Sequence, residues 1–395
     1  MKVLILTKIF PNGLDPLSSP FNRQQFAALG DLCEVDVLAT IPWFPGAFAC
    51  RRWSSAARLS QVPRSESIDG LRVQHPRFMF LPKIGHAIAG QLYAASLAAT
   101  VMRYRGRVDV VLGSWAYPDG FAAVVLAGML DVPAVVKLHG SDMNVVARWP
   151  GPRRRLQWAL PRAERVVAVS RPLADAAADL GVERDRIDLI PNGIDRMLFQ
   201  PRDRLQARRA LGLPLDAAII LYVGHLTAAK GAFDLTRAFG AVASTLAHAM
   251  LVMVGDGEGS EDCKDLACSL GDRVRFVGAR PHDEIATWLA ACDVLALPSW
   301  NEGMPNVVLE ALASGRRVVA TRVGGIPDVV TDELGILVPP RRPEILTQAL
   351  ERALQTPYDP QAISAGLDRP DWQGSARLLH RSLLFALGRR GSEAA

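Results

Sequence analysis

Short apolar runs, many rich in β-branched residues, recur along the chain, and most are continuous rather than alternating. A strand with one wet face alternates apolar and polar positions. A strand that is apolar at successive positions is buried on both faces, as in a parallel sheet covered by helices. The runs predict strands over Lys2–Thr7, Val35–Ala39, Leu71–His75, Val108–Gly113, Ala134–Leu138, Arg165–Val169 and Ile187–Ile190. A second series covers Ile219–Val223, Met250–Val254, Val274–Val277, Val294–Leu297, Arg317–Thr321 and Gly335–Val338. Ala- and Leu-rich stretches lie between the runs, with helices expected over Pro172–Leu180, Ala286–Ala291 and Pro305–Ser314. Repeated βα units of this kind make an α/β fold.

The two series are separated by residues 191–216, rich in Arg, Asp, Gly and Pro, and the domain boundary is placed there. The pattern predicts two Rossmann-like domains, 1–190 and 191–370. A segment of helical pattern, Asp371–Gly388, follows and can return to the first domain, and the tail Arg389–Ala395 is expected to fray. Open α/β sheets bind ligands at the carboxyl ends of their strands, so two such domains facing each other would line a cleft with strand ends.

Composition narrows the class. With 49% hydrophobic and 22% charged residues in 395, the chain is neither disordered, collagenous nor coiled coil. A net charge of +5 does not call for nucleic acid as a partner. Cys33, Cys50, Cys263, Cys268 and Cys292 are scattered and odd in number, with no CxxC pair, which favours a reducing compartment over a disulfide framework or zinc site. The run Val3–Leu6 is too short for a secretion signal. Ala87–Met102 is interrupted by Gly90, Gln91, Tyr93 and Ser96 and falls short of the roughly 20 apolar residues of a membrane span. A cytoplasmic protein is expected.

The segment from Ser299 to Gly315 carries the most chemistry. The strand Val294–Leu297 runs into a polar turn, a helix is expected with Pro305 in its first turn, and Gly315 is placed to end it in a left-handed conformation. Glu302 lies in the loop before the helix and Glu310 inside it. A helix N-terminus presents unpaired N–H groups and partial positive charge to an anion, which a nearby carboxylate would repel. A neutral sugar between the two resolves the conflict, with Glu302 on sugar hydroxyls and Glu310 on the hydroxyls of a ribose. The plainer reading makes Glu302 a first-turn acid and Glu310 a solvated one.

This Glu-x7-Glu in a strand–loop–helix setting resembles the retaining GT-B glycosyltransferases of family 4. The likeness extends over nearly the whole chain through Tyr222-Val223-Gly224-His225-Leu226 with Lys230-Gly231, Val254-Gly255-Asp256-Gly257, Pro191-Asn192-Gly193-Ile194-Asp195, Leu138-His139-Gly140-Ser141-Asp142 and Val323-Gly324-Gly325-Ile326-Pro327. Within the family the chain is most similar to members that build polysaccharide or teichuronic-acid-type chains, the element Tyr117-Pro118-Asp119-Gly120 included.

What the resemblance implies is a nucleoside-diphosphate sugar (UDP-, GDP- or ADP-linked) as donor, a glycan or lipid-linked acceptor, and no cofactor. The absence of any Asp-x-Asp removes the usual carboxylate clamp for a metal–diphosphate, so protein cations are expected to stabilise the leaving group. The carry-over gives Lys230 the diphosphate. His225 stands where relatives commonly carry Arg, and its imidazole lacks the guanidinium fork. The amides of Gly303, Met304, Pro305 and Asn306 would add to the diphosphate site, Gly224 borders it, and the base would rest near Val277, Gly278 and Pro281. Gly255 and Gly257 serve the nucleoside or are plain turn residues.

In the first domain His139 follows a buried strand and is expected at the reacting sugar. Asp142 orients the loop or caps the next helix, and capping is favoured. The loop from Lys8 to Phe21 contains no GxGxxG, which argues against a nicotinamide enzyme. Relatives often carry Gly near Ser19 or Pro20. Arg103, Arg105 and Arg107, and Arg148-Trp149 with Arg153-Arg154-Arg155 and Trp158, suit docking at an anionic membrane, although solvated basic helix faces explain them as simply. Two rivals stand beside the transferase: a nucleotide-sugar epimerase on the same architecture and a catalytically silent nucleotide-binding module.

Overall fold

The apolar runs pair as parallel ladders, since each run is returned to the same sheet edge by an intervening helix and neither of its faces can be left in water. The computed structural model describes residues 1–44, 58–80 and 88–393, with side chains described as far as residue 388. Cys50, Ala87 and the last two residues lie outside these. The chain divides into two units, Met1–Gly193 with Pro370–Ala395, and Ile194–Arg369.

The first unit holds β1 (Lys2–Thr7), β2 (Glu34–Ala39), β3 (Ile41–Trp43), β4 (Ser65–Ile68), β5 (Leu71–Gln74), β6 (Arg77–Met79), β7 (Val110–Ser114), β8 (Ala134–Leu138), β9 (Arg165–Ala168) and β10 (Ile187–Leu189). Eight of them form one sheet in the order β10-β9-β8-β7-β1-β2-β5-β4, parallel except where β4 runs against β5, while β3 and β6 pair separately. Alternation along β1 builds two cores at once. Val3 and Ile5 pack with Phe26 and Leu29 of the helix Pro20–Gly30 and with Trp372, Leu379 and Leu383 of the helix Trp372–Glu393. Leu4 and Leu6 pack with Tyr93 and Leu97 of the helix Ala89–Val101 and Leu126 of the helix Phe121–Leu130. Each such side chain contributes about 1.5–3 kcal/mol on burial.

The second unit holds β11 (Ala218–Val223), β12 (Ala249–Val254), β13 (Val274–Gly278), β14 (Val294–Leu297), β15 (Arg317–Thr321) and β16 (Gly335–Val338), all parallel, in the order β13-β12-β11-β14-β15-β16. Within the stretch expected to be a connection, residues 204–211 instead form a helix of this unit. Its Arg208 is buried and donates to Asp293 Oδ2 at 2.7 Å, Ala291 O at 2.9 Å and Leu215 O at 2.7 Å, which locks the stretch to the sheet.

Three strands lie outside the expected set. β3 and β6 are three residues each, too short to show a run, and β4 is largely polar, so no apolar run marks them. The last helix passes Gly388 and continues to Glu393, beyond the point expected to fray. Among the described residues, no helix is long and apolar enough to cross a membrane.

Candidate active site

In the second sheet the strand order reverses between β11 and β14, and the loops leaving their carboxyl ends diverge there, the place where open α/β sheets take ligands. The loop after β11 carries Gly224, His225 and, in a 3₁₀ turn, Lys230; the loop after β14 carries Glu302. The two meet across the switch point. Lys230 Nζ donates to Glu302 Oε1 at 2.8 Å and Oε2 at 2.9 Å, with the carboxylate buried and the ammonium partly exposed.

Trp300 holds these loops together. Its backbone N–H donates to Ala229 O at 2.9 Å and its indole N–H to Asp234 Oδ2 at 2.7 Å, while the Arg341 guanidinium lies 4.2 Å over its ring. From the other side Gly325 N donates to Gly303 O at 2.7 Å. This approach requires glycine at 324: its φ is +52°, and a Cβ there would lie 2.0 Å from Glu302 O. Along the rest of the edge Gly224 N donates to Val254 O at 3.0 Å and Gly255 N to Gly278 O at 2.9 Å, so Gly224, Gly255, Val277 and Gly278 form one row of strand ends. His225 is exposed beside them, and its carbonyl accepts from Tyr222 OH at 2.7 Å. Burial raises the Tyr222 hydroxyl's pKa, and the charge of Glu302 raises it further.

Gly303 and Met304 are buried beneath the loop; Pro305 is the cap residue of the helix Asn306–Ala313, not its first turn. Having no N–H, Pro305 cannot join a diphosphate-binding row, which leaves Gly303, Met304 and Asn306 as possible donors. Gly315 follows with φ +70°, ending the helix as its position predicted. Glu310, inside that helix, takes a hydrogen bond on Oε1 from His282 Nε2 at 2.7 Å. His282 opens the helix His282–Ala291, and Phe199 packs edge-on against it at 5.1 Å. Burial alone would lower the imidazole's pKa, but the hydrogen bond and charge of Glu310, with Asp195 and Asp283, raise it above its ordinary value.

The first sheet reverses order between β1 and β7, and His139 lies at that edge after β8. Ser114 Oγ donates to Asn22 Oδ1 at 3.2 Å, and Asn22 Nδ2 donates to Ile9 O at 2.9 Å, which fixes the amide's orientation. The hydroxyl's only proton is thus spent on Asn22, so in its 2.9 Å contact with His139 Nε2 the ring donates. Burial, with the charge of Lys137, holds His139 well below 6.5. The neutral ring with its proton on Nε2 keeps Nδ1 as an acceptor. Phe21 and Trp115 flank it, with ring centres 5.1 and 5.9 Å away.

Residues 23–197 match the family model described as Glycosyltransferase Family 4, and residues 217–356 the model described as Glycosyl transferases group 1. A Bacillus subtilis (strain 168) protein named for teichuronic acid biosynthesis, glycosyltransferase TuaC, is 30% identical over 358 residues, 89% of each chain. The chain belongs to glycosyltransferase family 4. The glycosyltransferase is also 30% identical over 355 residues to a D-inositol 3-phosphate glycosyltransferase of Nocardioides sp., covering 80% of this chain and 76% of that one. Its fold is that of Anabaena Alr3699/HepE, solved in complex with UDP, at a TM-score of 0.71 and 22% identity over 97% of this chain and 99% of that one. Sucrose-phosphate synthase from Thermosynechococcus elongatus superposes with a TM-score of 0.70 at 22% identity over 100% of both chains. This is the GT-B fold.

One feature of this glycosyltransferase differs from expectation. Asp142 caps no helix: it is buried and accepts from the amides of His139 at 3.1 Å, Gly140 at 2.6 Å, Ala116 at 2.8 Å and Met143 at 3.1 Å. The sharp turn at Gly140 (φ +149°) gathers these amides around one carboxylate, so Asp142 orients the His139 loop. Ser19, where relatives often have glycine nearby, adopts φ +48°, a conformation glycine takes without strain. Sequence reasoning missed His282, Trp300 and Asp234. Trp300 stood two residues before Glu302 at a strand end, and His282 followed Pro281 at the next sheet edge; both positions were readable signals.

Proposed function

We propose that this enzyme moves a sugar from a nucleoside-diphosphate sugar to a hydroxyl of a glycan or lipid-linked acceptor, with retention of anomeric configuration, in the cytoplasmic assembly of a cell-surface or extracellular polysaccharide. The observation that carries the reading is the Lys230–Glu302 pair at the switch point of the second sheet. An arriving diphosphate competes for the ammonium, which then stabilises the leaving group's charge, and releases Glu302 to accept sugar hydroxyls. His225 and the amides of Gly303, Met304 and Asn306 add hydrogen-bond donors to the diphosphate. Glu310, held by His282 through Oε1, offers Oε2 to a ribose. His139 offers Nδ1 to a hydroxyl of the transferred sugar.

The step balances without a protein nucleophile. The bond from the anomeric carbon to the diphosphate oxygen breaks, the acceptor oxygen bonds to that carbon on the same face, and the diphosphate takes the acceptor's proton. Support comes from the fold neighbour HepE, solved with UDP-glucose, and from TuaC, named for teichuronic acid biosynthesis. The test is incubation with UDP-, GDP- and ADP-sugars, with and without a membrane extract as acceptor source. Release of nucleoside diphosphate, and an acceptor-dependent product with the donor's anomeric configuration, are expected. Isomerised donor without release would make the enzyme an epimerase and overturn the proposal, as would an inverted product. Absence of nucleotide binding by calorimetry would reduce it to a silent module.

A further inference from the structure

Trp115 leaves β7 with φ +139° and ψ +134°. Glycine takes that conformation freely, whereas a bulky side chain takes it only under strain. The turn is fixed by its backbone: Trp115 N–H donates to Lys137 O at 3.0 Å, Gly120 N–H to Trp115 O at 2.8 Å and Ala116 N–H to Asp142 Oδ2 at 2.8 Å. A second cost accompanies the strain, since the indole Nε1 is buried and has no hydrogen-bond partner among the described residues. Strained backbone and orphaned buried donors persist where the surroundings over-determine them, and they gather at functional sites.

What this turn places is a flat ring against the imidazole of His139. The two planes are 24° apart with centres at 5.9 Å, while Phe21 leans on the imidazole at 44° and 5.1 Å. The Asp142 carboxylate that holds the Ala116 amide also accepts from the His139 amide at 3.1 Å, so one group ties together the turns carrying both rings. His139 keeps a partly exposed edge, so each face that a neighbour covers matters to its charge. The charged groups around it are Lys137 from β8, Lys8 at the end of β1, whose ammonium lies 5.0 Å from the indole centre, and Asp142, already shared among four amides. Two lysines and one engaged carboxylate disfavour a further cation, and the indole keeps water from one face.

We propose that Trp115 is a positioning residue, whose strained backbone lays the indole on His139 and keeps that imidazole neutral with its proton on Nε2, leaving Nδ1 free to accept a hydroxyl of the transferred sugar. Packing alone would be met by an aliphatic side chain, which fills space without an orphaned N–H; a flat ring is what matches the imidazole. A doubly protonated imidazole has two donors and no acceptor, so the charge state decides whether Nδ1 can do this. The role of Nδ1 rests on the transfer reading given above, whereas the state of the ring can be read without any donor.

The experiment follows the ring nitrogens of His139, one of seven histidines, by nuclear magnetic resonance on the full chain, with its signals identified by their loss in His139→Gln. Native enzyme and Trp115→Phe, which keeps a flat ring, should show a neutral His139 with its proton on Nε2 at about pH 6. Trp115→Gly suits the backbone at 115 but removes the ring, and its His139 should be substantially protonated there, since a solvated imidazole has a pKa of about 6.5. Release of nucleoside diphosphate at about pH 6, from whichever of the UDP-, GDP- and ADP-sugars the native enzyme uses, should fall about tenfold to a hundredfold in Trp115→Gly. It should stay within about threefold of native in Trp115→Phe, and recover in part in Trp115→Gly at about pH 8. Nucleotide affinity, set in the second unit, should not change. Should Trp115→Gly lose the native melting temperature, Trp115→Leu gives the same readings. A His139 that stays neutral on Nε2 without the flat ring overturns the proposal. So does a turnover loss that Trp115→Phe shares in full with no change at His139, the mark of a merely structural role. If the native enzyme releases nucleoside diphosphate from no donor, the transfer reading fails separately, and the protonation of His139 in Trp115→Gly alone upholds or overturns the placement by Trp115.

Discussion

Replacing His282 by alanine removes a hydrogen bond that orients Glu310 from a neighbouring helix. A hydrogen bond to a charged group is worth about 1.5–3 kcal/mol net. The two side chains are 27% and 13% exposed, so water screens part of it and the lower end applies. About 1.5 kcal/mol is roughly a tenfold loss of affinity. The perturbation is also visible in pH. Since the pKa of His282 is raised in the folded protein, its pairing is fully present below the ordinary value near 6.5 and is lost as pH rises through the higher folded value. Affinity of the native enzyme for its nucleotide should therefore fall from about pH 6.5 upward as the charge-assisted bond becomes a neutral one, toward a level still above that of His282→Ala, whose own profile should be flat across that window. His282→Gln can still donate to Glu310 but carries no charge and cannot titrate, so it should bind between native and alanine at pH 6.5 and lose the pH dependence. The assay is calorimetric titration with UDP, GDP and ADP, the tightest binder being carried through pH 6 to 9, with kcat staying within about threefold because the ribose is remote from the reacting bond. Equal affinities for native and alanine enzymes at pH 6.5, or parallel profiles for all three, would refute the reasoning.

Other expectations rest on separate contacts. Lys230→Met should cost nucleotide affinity roughly tenfold to a hundredfold, since a charge-assisted contact of about 1.5–3 kcal/mol is lost, and turnover should fall further; calorimetry and nucleotide-release rates read the two. Gly324→Ala places a Cβ 2.0 Å from Glu302 O at positive φ, so it should lower stability in urea by about 2–4 kcal/mol and displace Glu302. Buried Lys137 has its pKa pushed down to about 7 by desolvation, a displacement worth about 5 kcal/mol at most. Lys137→Met removes that penalty but strips Gln25 of a donor, at about 1–3 kcal/mol. For a lysine whose folded pKa is depressed, the penalty is full below about 7 and absent above the unfolded value near 10.5. A net gain of about 2 kcal/mol at pH 6 that shrinks toward pH 10 is expected in thermal melts, and a gain independent of pH would contradict it.

Much of the architecture was legible because it is local. Continuous runs such as Val3-Leu4-Ile5-Leu6 can sit only in a sheet covered on both sides, and β1 does so with all four side chains at 0% exposure. The helix after Glu302 and its end at Gly315 followed from the same reasoning. Where the pattern was weak the reading failed: β4 alternates exposed and half-buried positions at a sheet edge, and Gly388 did not stop a helix whose preceding turns are anchored by Leu379, Leu383 and Ala386. For Asp142, an acid at the start of a short helical turn looks like a cap, and only the fold of the Gly140 turn shows four amides converging on it.

Residue order by itself determined the class of fold and the edge on which chemistry would collect, because burial and period are written into neighbouring positions. The pairings that make the site workable were decided by tertiary structure. Lys230 reaches Glu302 across 72 positions of chain and His282 reaches Glu310 across 28. The first contact exists because strand order places β11 against β14, and the second because the helices His282–Ala291 and Asn306–Ala313 pack together. Proximity of that kind is a property of the assembled sheet and its covering helices, and no local pattern encodes it.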